Sequence, residues 1–392
     1  MVIVTDIMEL IFDELNRRWV YKYETYAPLY VCSAMMHSFN LMNQKRQIYW
    51  EGSRLPNMRM HLLFVAPPGF MKTHYLSTMG GDRFAIFKNA GVHVGHEQSL
   101  TEAGFIGTIR NVSGVDIIVE GAAQTYANGL MLIDEFSAIT SALKVQYNAQ
   151  MDTQLLAALD HGNVFKRLGG GKIAYQTHLT LWAGVQPARY DLSSGMGRRL
   201  GFLLFLPTKY DNDQLRYHMH KARGVRPDEN VMNKIWGLLE KNIKNMDIVE
   251  TVTYGESVYQ KYGDMELFSY ESSYFDKLLL GWHLMTYGPE KHIVIEAGDE
   301  LLDKLIGSQK KWRNEIVSGV DYVQVMKLIK VGGIQVAEGF EITLPDLVTQ
   351  GIMVGWNAHQ IHEKIMEMSR QRMVSMKGSV ITLLTSSTSV NL

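Results

Sequence analysis

The chain has 392 residues, 46% hydrophobic and 20% charged, which is enough apolar material for one large or two ordinary cores and too much for a disordered chain. Its 39 basic and 40 acidic side chains leave a net charge of −1, so any nucleic-acid contact depends on local placement of charge. The single cysteine, Cys32, excludes a disulfide framework and a multi-cysteine zinc site and fits a reducing, cytoplasmic setting.

No apolar run reaches the roughly 18 residues of a membrane span, so no membrane partner is expected, and the N-terminal stretch is broken by acids and arginines at helical spacing. Residues 5–45 read as amphipathic helices, and residues 1–55 as a short helical N-terminal segment. "HLLFVA" is a buried-strand run that stops at Pro67 and Pro68. The loop "VAPPGFMKTHYL" follows and leads into a helical pattern. Aligned with the phosphate-loop pattern G-x-x-x-x-G-K followed by Ser or Thr, it keeps Lys72 and Thr73 but has Ala66 and Met71 at the glycine positions.

"GLMLIDEF" is a second strand, ending on Asp134 and Glu135. "HLTLWAGVQP" and "LGFLLFLP" complete four candidate parallel strands separated by helical or inserted segments. This alternation predicts an α/β core over residues 56–210, a P-loop sheet with helices on both faces. Charged amphipathic helices from 211 to 375 predict a helical C-terminal lid domain, and residues 376–392 a flexible tail.

In a phosphate loop, backbone N–H groups face the phosphates and a lysine neutralises their charge. Pro68, Gly69, Phe70, Met71, Lys72, Thr73 and His74 are the candidates, with Gly69 supplying backbone freedom. Thr73 and Asp134 would hold Mg²⁺, and Glu135 would polarise the attacking water. "FKRLGGGKIAY" suits a basic β-hairpin in which Lys166, Arg167 and Lys172 can meet a nucleic-acid backbone.

"APPGFMKT" resembles the loop of the MCM replicative helicases, a family of AAA+ ATPases whose loop reads G-D-P-G-x-A/G-K-S. The likeness continues in order through "SLTEAGFIGTIRNVSGVDIIVEGAAQTYANGLMLIDEFSAI" and "QLLAALDHGNVFKRLGGGKIAYQTHLTLWAGVQPARYD", covering about residues 60–210. It implies a β-hairpin insert at 105–120, carrying Arg110, and a second hairpin at Lys166, Arg167 and Lys172, both directed at a single DNA strand in the channel of a hexamer. Gln186 takes the place of the family's sensor asparagine. In "GMGRRLGFLLFLP", Arg199, and next to it Arg198, takes the place of the arginine that completes a neighbour's ATP site. The family's OB-fold and zinc N-terminal domain has no counterpart, as in a stripped-down form from a mobile element or virus of archaeal or bacterial hosts. No sensor-2 residue is assigned: that stretch offers Gln324, Lys327 and Lys330, with Arg313 upstream.

The resemblance implies an ATP-driven, hexameric DNA helicase or translocase using ATP and Mg²⁺. An AAA+ ATPase that remodels or loads protein partners is the alternative, favoured by Phe165 and Tyr175 beside the basic hairpin. A nucleotide-binding scaffold without activity is a third reading, set against the retained Lys72 and Glu135.

Overall fold

The computed structural model describes residues 7–384 apart from 47, 51–52, 55–56, 99, 137–148, 169–170, 188–198, 266, 268, 299, 318–319, 338, 355 and 371. The chain begins with α1 (Ile7–Arg17) and α2 (Tyr23–Met42). α1 is amphipathic as expected: Ile7, Met8, Ile11 and Leu15 face inward, and its buried Glu14 is neutralised by Arg17 and Arg18, each at 2.7 Å. α2 departs from the expectation. Every residue from Tyr26 to Phe39 is buried, because "YAPLYVCSAMMHSF" is apolar on all sides and needs cover on all sides.

After the short strands β1 (Tyr49–Trp50) and β2 (Ser53–Arg54) comes the core: β3 (His61–Val65), α3 (Lys72–Leu76) continued by a π-helical turn at Ser77–Gly81, and β4 (Val94–Glu97). Next are α4 (Glu102–Ile106), the hairpin β5 (Gly107–Val112) and β6 (Val115–Glu120), α5 (Ala122–Thr125), β7 (Leu130–Ile133) and α6 (Ala149–Asp160). The hairpin β8 (Asn163–Leu168) and β9 (Gly171–Gln176), then β10 (Thr180–Val185) and β11 (Leu200–Leu204), complete it.

Five strands form a parallel sheet in the order β11-β3-β10-β7-β4. The four predicted strands are its middle and one edge, buried along their whole lengths, as continuous apolar runs require when both faces are covered. β4 was not foreseen; "VGHE" is too short and polar to stand out, and it is the other edge. Trp182 lies fully buried at the centre of the sheet, and its indole N–H donates to Ser33 on α2 at 2.7 Å.

The remainder is α7 (Lys209–Ala222), α8 (Glu229–Lys244), β12 (Thr251–Tyr254), α9 (Glu256–Asp264), α10 (Ser269–Thr286), β13 (His292–Ile295) and α11 (Glu300–Val317). It ends with α12 (Val320–Gly332), β14 (Ile334–Val336), β15 (Gly339–Thr343), α13 (Leu344–Met353), α14 (Ala358–Arg370), β16 (Val374–Lys377) and β17 (Val380–Leu384). The region expected to be a helical lid domain therefore also holds strands. β12 and β13 join β1 and β2 in a second sheet, and their alternating burial is a period-two signal masked by the charged helices around them. β14 to β17 form an antiparallel sheet beside α12, α13 and α14, so this end is a helix-turn-helix followed by a hairpin instead of a purely helical lid. Residues 376–384, expected as tail, pair in that hairpin, and 385–392 lie outside the described residues.

α1 and α2 pack on α8 and α10, so the N-terminal segment shares its core with the region after 211. Gly281 of α10 lies close against α2: a Cβ there would stand 2.7 Å from the Cys32 carbonyl oxygen. Gly281→Ala should therefore cost about 1–3 kcal/mol by overpacking. Gly263→Ala, in open space on α9, should instead stabilise by about 0.4–1 kcal/mol. Chemical denaturation of both variants checks this, and equal signs would contradict the packing described.

Candidate active site

The chain leaves β3 at Val65, turns through Pro67, Pro68 and Gly69, and enters α3 at Lys72. Two residues with positive φ make the turn, Gly69 at 77° and Met71 at 50°. Met71 stands where the general pattern has glycine, and the backbone shows why: a side chain in this region costs about 1–3 kcal/mol. Met71 is 6% exposed in the core, and the burial of its side chain offsets that strain.

Lys72 is 7% exposed. Its Nζ donates to the carbonyls of Ala66 at 2.6 Å and Pro67 at 2.8 Å. Burial pushes its pKa down to about 8, while the carboxylates of Glu135 and Asp134 pull the other way. Gly184 on β10 makes room for the lysine stem. A Cβ there would come within 3.3 Å of Lys72 and 2.7 Å of the Asp134 carbonyl oxygen.

Asp134 and Glu135 follow β7 directly. Their backbone N–H groups donate to Glu97 and Gln98, which fixes the acid pair at the C-terminal edge of the sheet. Because β10 lies between β3 and β7, Gln186 at its end falls between the lysine and the acids, and its Nε2 donates to Glu135 at 3.1 Å. His96 on β4, which sequence reasoning missed, places Nε2 3.4 Å from Asp134 Oδ1. That oxygen is buried without a hydrogen-bond partner among the described residues.

A cavity of about 510 Å³ collects these groups: Pro68 to His74, Asp134, Glu135 and Gln186 line it. Its other wall was not foreseen either. Trp19 and Tyr21, in the turn between α1 and α2, meet Leu215, His218, Met219 and Ala222 of α7 there. His218 packs edge-on against Trp19 and Tyr21, with centroids at 5.6 and 5.1 Å, and its Nδ1 lies 3.1 Å from the Trp19 carbonyl oxygen. Nothing in the sequence links positions 19 and 218. The cavity thus has an ionic end suited to phosphates and an aromatic end suited to a flat ring. Thr73 and the orphaned oxygen of Asp134 are a donor pair that fits a small hard cation shared with phosphates.

The remaining predicted residues lie elsewhere. Arg199 precedes β11, whose first residue pairs with His61, so it stands a full strand length from the loop that holds Lys72. Its guanidinium is 2.7 Å from Asp160 and only 15% exposed. Arg198 lies outside the described residues. Arg313 donates to the Leu200 carbonyl and to Glu271, Gln324 accepts from Trp356, and Lys327 pairs with Glu315, so none of these lines the cavity.

Both predicted hairpins form. Ser113 and Gly114, both at positive φ, close β5 to β6 with the two-residue turn that matches strand twist. Arg110 lies exposed on that ribbon opposite Ile117, amid exposed Val112, Val115, Ile118 and Val119. On the second hairpin Arg167 and Lys172 face one another across the strands, like charges flanking the exposed Phe165 ring at 5.8 and 4.8 Å. Lys166 is opposite Ile173. The Tyr175 hydroxyl donates to the Ile106 carbonyl at 3.0 Å and ties the two hairpins together.

Neither a protein-family model nor a curated protein matches this sequence.

Two outcomes follow from the loop. Met71→Gly should be less destabilising than Met71→Ala by about 1 kcal/mol, because glycine relieves the strain that alanine keeps; thermal denaturation with the reverse order would refute the strained backbone. The Lys72 ammonium is fully charged below about 8 and is lost as pH rises through that value. Affinity for a polyphosphate should therefore hold up to about pH 8 and fall by up to tenfold per unit above it, which calorimetry across pH 7 to 10 would detect; a flat profile would show that the charge persists.

Proposed function

We propose that the chain is an ATP hydrolase of the AAA+ type, an MCM-like motor that moves on single-stranded DNA as a ring of six copies. The observation that carries this reading is the convergence of Lys72, Thr73, Asp134, Glu135 and Gln186 on one cavity at the C-terminal edge of a parallel sheet. Lys72 would leave the strand-end carbonyls for the β- and γ-phosphates, and the aromatic end at Trp19 and His218 would hold the base. Thr73 and Asp134 would hold Mg²⁺, which neutralises charge on the phosphates. Glu135 would orient the attacking water and accept its proton, with Gln186 keeping the carboxylate in position.

Arg199 cannot reach its own cavity, so only a neighbouring copy's nucleotide could meet it, and only after it leaves Asp160. That placement supports the ring. The facing cations Arg167 and Lys172, with Lys166, Arg110 and the exposed Phe165, offer phosphates a partner and a base a stacking surface. The buried lone Cys32 suits a cytoplasmic setting, in the replication of a virus or mobile element. One observation favours the second reading, remodelling of protein partners: the first hairpin exposes Val112, Val115, Ile117, Ile118 and Val119, an apolar ribbon able to grip polypeptide.

ATP-dependent unwinding of a forked DNA duplex tests the proposal. Lys72→Ala and Glu135→Gln should each lower hydrolysis by about 100-fold or more. Lys172→Ala should lose unwinding while retaining basal hydrolysis. Hydrolysis indifferent to DNA, with no unwinding at either fork polarity, would favour protein remodelling; no hydrolysis at all would overturn the motor.

A further inference from the structure

A second cavity, about 570 Å³, lies at the opposite end of the sheet from Lys72. It is bounded by the C-terminal turn of α2, the approach to β3, and the root of the basic hairpin. Among the described residues no carboxylate lines it, which does not suit a metal ion. Nor is it an apolar pocket, since amides from three separate segments face it. Asn163 and Gln176 pair directly across β8 and β9, Asn40 and Gln44 come from the end of α2, and the Asn40 Nδ2 is buried with no partner among the described residues.

The charge in this cavity is positive. Arg46 lines it, with its guanidinium steered by the Asn43 oxygen at 3.4 Å. Arg59, 2% exposed, donates to the carbonyls of Ala158, Leu179 and Asp160 and to Asn57; burial lowers its pKa to about 10, the Asp160 carboxylate opposes that shift, and the group stays a cation at the cavity wall. Burial and that charge hold the neighbouring His178 below the usual imidazole range, neutral at pH 7.

An anion on one side and several donor–acceptor amides on the other are complementary to a phosphate joined to a nucleobase, since amides match the paired donors and acceptors of base edges. We propose that this cavity binds one nucleotide unit, its phosphate on Arg46 and its base edge on the amides of Asn40, Gln44, Asn163 and Gln176. The unit is held without being hydrolysed, because the described residues lining the cavity include no counterpart of the Lys72, Thr73 and Glu135 set. The proposal stands apart from the reading of the first cavity, and both sources of the unit, a free mononucleotide or one residue of a strand reaching the hairpin root, present the same chemistry.

The test uses the full chain carrying Lys72→Ala, in a metal chelator, so that the first cavity is disabled. Adenosine monophosphate binding is measured by calorimetry, and binding of a short fluorescent single-stranded oligonucleotide by anisotropy. Arg46→Ala and Gln176→Leu, added singly, change a half-buried and an exposed side chain, so the fold is retained. Each should weaken binding about tenfold. Weakened binding of the mononucleotide assigns the cavity to a free nucleotide; weakened binding of the oligonucleotide alone assigns it to a strand. Binding of neither probe, or binding that both variants leave unchanged, overturns the proposal, whatever the unwinding assay shows.

Discussion

A buried ammonium group has to be answered by its surroundings, and the answer to Lys72 shapes the whole core. Two carbonyls just past the end of β3 accept its hydrogen bonds, and two carboxylates at the end of β7 supply the opposing field. Both sets can stand at one edge only if the strands run parallel, and β10 between them must present no side chain at Gly184. The sheet order, the Met71 turn and the position of Gln186 meet around this one charge.

That edge was legible in the sequence because its chemistry is local. An apolar run, a break and a lysine–threonine pair sit within a dozen positions, and the acid pair directly follows its own strand. Hairpins were legible for the same reason, since turn residues and flanking strands are neighbours in the chain. What escaped was long-range or short. The aromatic wall joins position 19 to position 218 across the fold, and no pattern in either segment announces the other. β4, β12 and β13 are four residues each, too brief for a period to rise above their polar neighbours. The α2 helix was misread because burial on every side erases the periodicity that identifies a surface helix.

The two cavities occupy opposite ends of the same strands, and different physics builds each. Near Lys72, charge is concentrated and paired, with a lysine against two acids. Near Arg59, charge is dispersed among backbone dipoles and amides, and the Asp160 carboxylate, paired with Arg199, acts on Arg59 as well. Arg59 also bonds to the last turn of α6 and to the residue before β10, so the basic hairpin is rooted in the sheet instead of hanging from a loop.

The apolar ribbon of β5 and β6 has a colloidal consequence. With a net charge of −1 and an isoelectric point near 6.9, the chain has almost no electrostatic repulsion to keep copies apart at neutral pH. Exposed valines and isoleucines on both faces of one hairpin then become the first surfaces to meet. Sulfate and phosphate, which strengthen apolar association by exclusion from protein surfaces, drive those ribbons together, whereas a buffer a few pH units from neutrality restores the repulsion.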